Sequence, residues 1–522
     1  MPSRSSLAAR LVAVAVLLGA SALPAVAVKN LTAVLESEVV FLDPHFTTAN
    51  ITRTFNYMVY DTLFSMDSKG AIHPQMVGDT QISEDKLEYR FTLRDGLKWH
   101  DGAPVTAADC VASLKRWGSR DVLGRMLVKA TGTLEAVDAK TFVLKLTSPF
   151  PMVLEVLGKP NSIVPFIIPE RQANAPGDQK ITDIIGSGPF IFRRDLWRQG
   201  DTMVLERNPA YVPRAEPPDF LAGGKVVKID RLTLKTIPDS GTASQALIAR
   251  EIDYLQYVPF DWIARLERDQ NIKVMALGGI DMFEGNYRLN SAIPPFNDPA
   301  IRRVLWKVVD QPSVLDAIGI PPKYRLESCG SFWMCGTALE AKVGAEVAHF
   351  SIEEARAELK KTKYNGEPVV FMQLSSLTAG QAGLVMIDAL KKAGFNVDAQ
   401  VMDWATLLQR RAKKEGWNLF AVYSNGVDMS SPLTHFYVAN NCADYPGWSC
   451  DERITPLLSD FAFADTAEKR KSIAAQIQAF AYESTPAVMW GQFTVPAAYR
   501  ATLKDLIQSS FPMFWAVDMP DK

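Results

Sequence analysis

Residues 368–423 alternate between strand-like and helix-like runs without a break: PVVFMQL, GQAGLVMIDALKKAG, FNVDAQVM, WATLLQRRAKKEG and WNLFAVY. Parallel strands need a crossover of a dozen or more residues, and a helix supplies it. The stretch therefore predicts a doubly wound parallel unit. The preceding DPAIRRVLWKVVDQPSVLDAIG is strongly helical, so the unit begins near residue 285. A chain of 522 residues is too long for one core, and two or three domains are expected.

The N-terminal half has a different rhythm. KLEYRFTLRDGLKW and KTFVLKLTSP alternate with period two and read as hairpin strands. Between them, TAADCVASLKRW places Ala107, Cys110, Val111, Leu114 and Trp117 on one helical face. Thr106 is the expected N-cap and Asp109 sits at the third helical position, a capping-box spacing. Residues 73–185 thus read as a small α+β unit inserted into something larger. Around it, LTAVLESEVV is an expected strand, ITRTFNYMVYDTLFSM a helix, and GSGPFIFRRDLWRQGDTMVLERNPAYV a hairpin. KIDRLTLKTI is a further strand, and TAEKRKSIAAQIQAFAYES is a long helix near the end. No flexible linker separates these units, which predicts a rigid two-lobed body whose chain crosses between lobes more than once.

The first 27 residues read as an address rather than a fold. Arg4 and Arg10 come without an acid, LVAVAVLLGA follows, and Ala25-Val26-Ala27 ends the segment as a small-x-small site. That order is a secretory signal peptide, and the apolar run is too short to span a bilayer. The first cysteine is Cys110, so no lipid-bearing cysteine stands near the cleavage site, and a soluble periplasmic product is expected. Cleavage takes the formal charge from −2 to −4. Such a balance gives no footprint for nucleic acid or an anionic membrane surface.

Cysteine usage agrees with export. Cys329 and Cys335 bracket CGSFWMC, and Cys442 and Cys450 bracket CADYPGWSC; both read as loops, and a disulfide in each is expected. Chain entropy assigns each about 2 kcal/mol. The spacings are not those of a zinc site, and Cys110 is read as a buried, inert thiol.

No constellation for catalysis emerges. His45, His73, His100, His349 and His435 have no metal-ligand spacing, and GxSxG, P-loop and GxGxxG motifs are absent. Ser83 and Lys86 match SxxK alone, without its companion motifs. His100-Asp101-Gly102, like Asp95-Gly96 before it, carries the Asp-Gly turn signal. His100 is therefore read as a strand-end residue whose ring is satisfied by neighbours. No enzyme activity, metal or cofactor is expected; a secreted hydrolase is a remote alternative.

The same stretch, TLRDGLKWHDGAPVTAADCVASLKR, closely resembles the signature of the family 5 solute-binding proteins of ABC importers, the dipeptide- and oligopeptide-binding group. The family usually has an aliphatic residue where Cys110 stands. Four further segments agree in order: LDPHFTT, GSGPFIF with GDTMVLERNPAY, IPDSGTASQALIAREIDYLQYVP, and YRLNSAIPPFNDPAIRRVLWKVVDQPSVL. The resemblance implies an α/β fold of two hinged lobes with mixed sheets, plus an extra small α+β domain on lobe one. Carried over, lobe one takes 28–72, 186–284 and 495–522, the extra domain 73–185, and lobe two 285–494. The implied hinge lies near Gly285-Asn286-Tyr287 and Gly491-Gln492-Phe493. The implied partners are a small solute and the importer's permease, with the binding protein a monomer.

In peptide binders of this family an extended segment of lobe two pairs with the ligand backbone, and an aspartate after it takes the ammonium. The matching residues are Ser424, Asn425, Gly426, Val427 and Asp428. Asp428 is the expected amine anchor, with a turn cap before Pro432 as the alternative. Glu36, Ser37, Glu38 and Phe41 form the other expected wall. Tyr445 and Trp448 either line the pocket or pack the second disulfide. The family's aromatic before the anchor is replaced here by a small polar run. A sugar, opine, metal chelate or plant metabolite therefore stands as the alternative solute.

Overall fold

The computed structural model describes residues 28–175, 179–375 and 377–520; the signal segment read over 1–27 lies outside them. Two mixed sheets define two lobes. The lobe-one sheet orders Phe190–Phe192, Thr202–Arg207, Arg231–Lys235, Asn30–Val34, Tyr254–Leu255, Ala497–Arg500 and Ile272–Met275. Its strands come from three separate stretches of chain. The lobe-two sheet orders Val397–Met402, Val369–Leu374, Leu419–Asn425, Phe283–Leu289 and Ala487–Phe493.

The alternation that opens the sequence reading is realised in lobe two. Val369–Leu374 and Val397–Met402 pair in parallel over their whole length, from Val369 opposite Val397 to Leu374 opposite Met402. Helices Leu377–Ala393 and Trp404–Arg411 make the crossovers. Phe283–Leu289 and Ala487–Phe493 complete the sheet as an antiparallel pair.

These two antiparallel strands carry the chain between lobes. Phe283–Leu289 follows the lobe-one strand Ile272–Met275, and Ala487–Phe493 precedes Ala497–Arg500. The crossings therefore fall at 276–282 and 494–496, a few residues outside the positions implied by resemblance. The reason is burial: every residue of both strands is buried, so Gly285–Tyr287 and Gly491–Phe493 belong to the lobe-two core.

The inserted unit is built on Val77–Ile82, Glu88–Leu93, Thr141–Leu146 and Thr131–Ala136, all antiparallel neighbours. Alternate residues Tyr89, Phe91 and Leu93 point inward, against the face of helix Ala107–Arg120 that carries Cys110 and Trp117. The capping box at Thr106 and Asp109 is formed on both sides. Cys110 is buried and free, and burial raises its thiol well above the ordinary value. The later part of the 73–185 stretch turns to the other lobe-one elements: Phe166–Ile167 pairs with Asp61–Thr62, and Val164, Phe166, Ile168 and Ile181 join the core of Phe55, Leu232 and Trp515.

Both expected disulfides are present, Cys329–Cys335 and Cys442–Cys450. Among the described residues, no helix is long and apolar enough to cross a membrane.

Candidate functional site

The first strand ends at Val34 rather than continuing to Val40. Beyond it, the Glu36 backbone N–H donates to the Gln256 side chain at 2.9 Å, which peels the chain away from sheet geometry. Glu36 is thereby set at the rim of lobe one. Tyr257 donates its hydroxyl to the Glu36 carboxylate at 2.9 Å, and Asn50 and Arg53 stand beside it. Burial raises the Glu36 carboxyl above its ordinary 4.5, against the pull of these neighbours.

Asp428 faces the same seam from lobe two. The expected extended segment stops at Asn425, and Gly426–Met429 forms one helical turn instead. Gly426 explains the turn's position: its N–H donates to the Met282 carbonyl at 2.7 Å, and a Cβ there would lie 2.7 Å from that oxygen. Gly426 thus presses against the crossing segment, and its N–H is already used. Val427 packs into the lobe-one core, and its carbonyl accepts from Asn161.

The Asp428 side chain does not cap its own turn. One oxygen accepts from Arg53 Nη1 at 2.9 Å and from the Ser162 N–H at 2.8 Å; the other accepts from Arg53 Nη2 at 3.1 Å. Arg53 also donates to Pro160 O and Asn50 Oδ1 and lies over the Phe511 ring. Arg53 is 4% exposed and Asp428 3%, so the pair is withdrawn from solvent. It joins helix Asn50–Val59 of lobe one to the 426–429 turn of lobe two across 375 residues of sequence. A bidentate guanidinium–carboxylate bond is directional, and it fixes how the two walls face each other.

The remaining expected residues divide. Ser424 and Asn425 end the strand at the seam; Asn425 is buried with its Oδ1 unpartnered. Among the described residues, ladder pairing between this strand and Val369–Leu374 is limited to Phe371 and Leu419, so its last residues pair on one side only. Ser37 is exposed, and Glu38 accepts from the Gly200 N–H at 2.7 Å. The hollow beside them holds about 20 Å³, room for a water rather than a solute. Phe41 is not gathered into the Glu36 group. It packs against Phe46 with Lys180 over both rings, because the chain has already left the strand. Tyr445 stacks on Arg288, and Trp448 packs on Trp417 and donates to Asp444, so both brace the disulfide-closed loop.

His100 has the partners of a structural residue: its ring bonds Gly188 O at 3.1 Å, and its N–H donates to Gly186 O. Burial pushes its imidazole down to about 4. Asp101 holds the turn through the Ala103 N–H and pairs with Arg171. Ser83 donates to Asp85 within its own turn.

Sequence reasoning reached Asp428 and Glu36 but missed Arg53, Tyr257 and Ser162. Arg53 sits in a helix that is buried from Ile51 to Val59, and a buried arginine calls for a buried counter-charge.

Two lobes built from interleaved chain segments, joined by a pair of crossings and meeting at a polar seam, define a solute-binding protein of the periplasmic type. The Bacterial extracellular solute-binding proteins, family 5 Middle, match residues 71–447. The "Probable peptide ABC transporter periplasmic-binding protein y4tO" of Sinorhizobium fredii is 36% identical over 499 residues, 93% of each chain. Among solved structures, a dipeptide-binding protein from Pseudoalteromonas in complex with Met-Leu superposes with TM-score 0.78 at 18% identity, covering 94% of this chain and 100% of that one. The binding protein AgaA from A. tumefaciens R10, in complex with agropinic acid, gives 0.77 at 21%, covering 94% and 99%. The chain belongs to the family 5 extracellular solute-binding proteins, the substrate-binding components of ABC importers.

Proposed function

We propose that the protein captures a peptide or another small amine-bearing solute between its lobes, in the periplasm, and delivers it unaltered to the permease of its importer. The protein works as a freely soluble monomer, exported by the 1–27 segment, and its lobes follow the boundaries carried over above except that lobe two is taken outward to the crossings at 276–282 and 494–496. The observation that carries this reading is the pair of carboxylates on facing walls with unequal partners. Asp428 is bonded by three donors from the opposite wall and acts as the closing contact. Glu36 has the Tyr257 hydroxyl, with Asn50 beside it, and among the described residues no direct ion pair, so it is the carboxylate that receives the solute's ammonium. The amine anchor thus moves from Asp428 to Glu36, with Ser424 and Asn425 as the facing polar wall.

Calorimetry with a dipeptide library tests this. Glu36→Gln removes one partner of a desolvated charge pair and weakens binding by about 2–5 kcal/mol. Undiminished affinity in that variant removes the assignment. The unpartnered Asn425 Oδ1 favours a second reading, in which the solute is a hydroxyl-rich amine such as an opine rather than a peptide. Mass spectrometry of the molecule that co-purifies separates the two.

A further inference from the structure

Helix Val153–Gly158 lies in the inserted stretch 73–185, and the residues on either side of it reach lobe two. Before the helix, Phe150 meets Phe463, the last residue of the lobe-two helix Ile454–Phe463, edge to face with ring centres 5.7 Å apart. After it, Asn161 donates to the Val427 carbonyl and the Ser162 N–H donates to the Asp428 carboxylate. One short piece of chain thus carries two contacts with the opposite lobe.

That piece is fixed from the inserted unit's own side. Gly158 ends the helix so near strands Phe64–Met66 and Ile72–Pro74 that a Cβ there would lie 2.7 Å from the Ile72 side chain. Lys159 is 4% exposed; its ammonium donates to Asp121 Oδ2 at 2.9 Å and to the Asn161 carbonyl at 2.7 Å. Asp121 in turn caps helix Val122–Ala130 through the Gly124 N–H. Trp117 donates its indole N–H to the Ile163 carbonyl at 2.8 Å. Between these anchors Ser162 takes φ +52°, a left-handed conformation disfavoured for a residue with a Cβ, and its N–H points at Asp428.

The outer contact is unequal in a way that fits closing. Phe150 is 1% exposed, whereas Phe463 is 40% exposed and is only partly covered by its own lobe. An edge-to-face pair adds attraction beyond the area it buries. We propose that the inserted unit is the lobe-one half of the closing surface: its 150–162 segment grips lobe two at Phe463 and at the 426–429 turn, and both contacts break together when the lobes part. The inference rests on the closing role given to Asp428 and extends it to the inserted unit, whose Lys159–Asp121 pair sets the gripping residues in place.

The test follows hydrogen–deuterium exchange in the full mature protein without solute, so it does not depend on which guest is bound. The Ser162 N–H is held by lobe two and exchanges when the lobes part. Phe463→Ala is expected to speed exchange over residues 159–163 at least about threefold, and to leave strand Glu88–Leu93 of the inserted unit protected as before. Phe350→Ala, at another open lobe-two position, changes neither. Phe463 lies at a half-exposed helix end, so its variant folds; an unchanged circular dichroism spectrum checks this. Exchange over 159–163 that is unchanged in Phe463→Ala but faster in Arg53→Ala overturns the inserted unit's part and leaves the closing role of Asp428 standing. Exchange unchanged in both variants overturns both. Faster exchange in Phe463→Ala spread evenly into Glu88–Leu93 also overturns the proposal, since the contact then serves only stability.

Discussion

The two walls of the cleft carry the same functional group in opposite circumstances. On lobe two, Asp428 is buried and bonded by the Arg53 fork and the Ser162 N–H, all from the facing wall. On lobe one, Glu36 is half-buried, has one hydroxyl donor, and its carboxyl is raised by burial. A carboxylate already neutralised in the chain has little left to offer a solute cation. One that is partly desolvated and under-bonded gains most from receiving one. A site residue is thus defined by what its group still lacks as much as by its type.

The largest effect is expected from breaking the saturated side. Arg53→Ala leaves Asp428 buried without its charge partner, which costs about 3–5 kcal/mol if the lobes stay closed. Opening relieves the cost, so scattering from this variant shows a larger radius of gyration than wild type. The double variant Arg53→Ala with Asp428→Asn recovers part of the loss, because the orphaned charge is gone. A compact single variant with unchanged stability contradicts the closing role.

The unsaturated side sharpens the comparison through pH. A carboxyl raised in the folded, ligand-free protein contributes stability that is present below its ordinary 4.5 and lost as pH rises through the raised value. An ammonium favours the ionised form, so binding releases a proton. Affinity then increases as pH rises through the raised Glu36 value and levels off above it. Glu36→Gln flattens this dependence, measured by calorimetry in buffers of different ionisation enthalpy.

Disulfide removal is a smaller test. Replacing Cys442 and Cys450 by serine costs about 2 kcal/mol in denaturant unfolding and loosens the Tyr445–Arg288 stack. The amine response at Glu36 persists, because Glu36 lies on the other lobe.

The smallest effect on binding is expected at His100. Its imidazole, pushed down to about 4 by burial, contributes stability that is complete above the ordinary 6.5 and lost as pH falls through about 4. His100→Asn reduces the slope of stability against pH over that window and leaves solute affinity unchanged. A loss of affinity, or of any turnover, would return His100 to the site.

Much of the architecture is written locally. The strand–helix alternation of 368–423, the Thr106–Asp109 capping box and the two cysteine-closed loops each need only neighbouring residues, and each is found in place. The site is not local. Arg53 and Asp428 lie 375 residues apart, and Glu36 and Tyr257 lie 221 apart, so no periodicity announces either pair. The strand end at Val34 was illegible for the same reason. Val39 and Val40 favour a strand, but the Gln256 side chain takes the Glu36 N–H and ends it. Likewise the extended reading of 424–428 failed at Gly426, whose close approach to Met282 O is set by a segment 144 residues earlier.

Small-angle scattering of the unliganded and dipeptide-saturated protein probes the gripping of a guest most directly. The account predicts a smaller radius of gyration once a bound dipeptide is present, with the dipeptide recovered intact afterwards. Superimposable curves for every dipeptide that calorimetry shows to bind, or a dipeptide recovered in altered form, would contradict it.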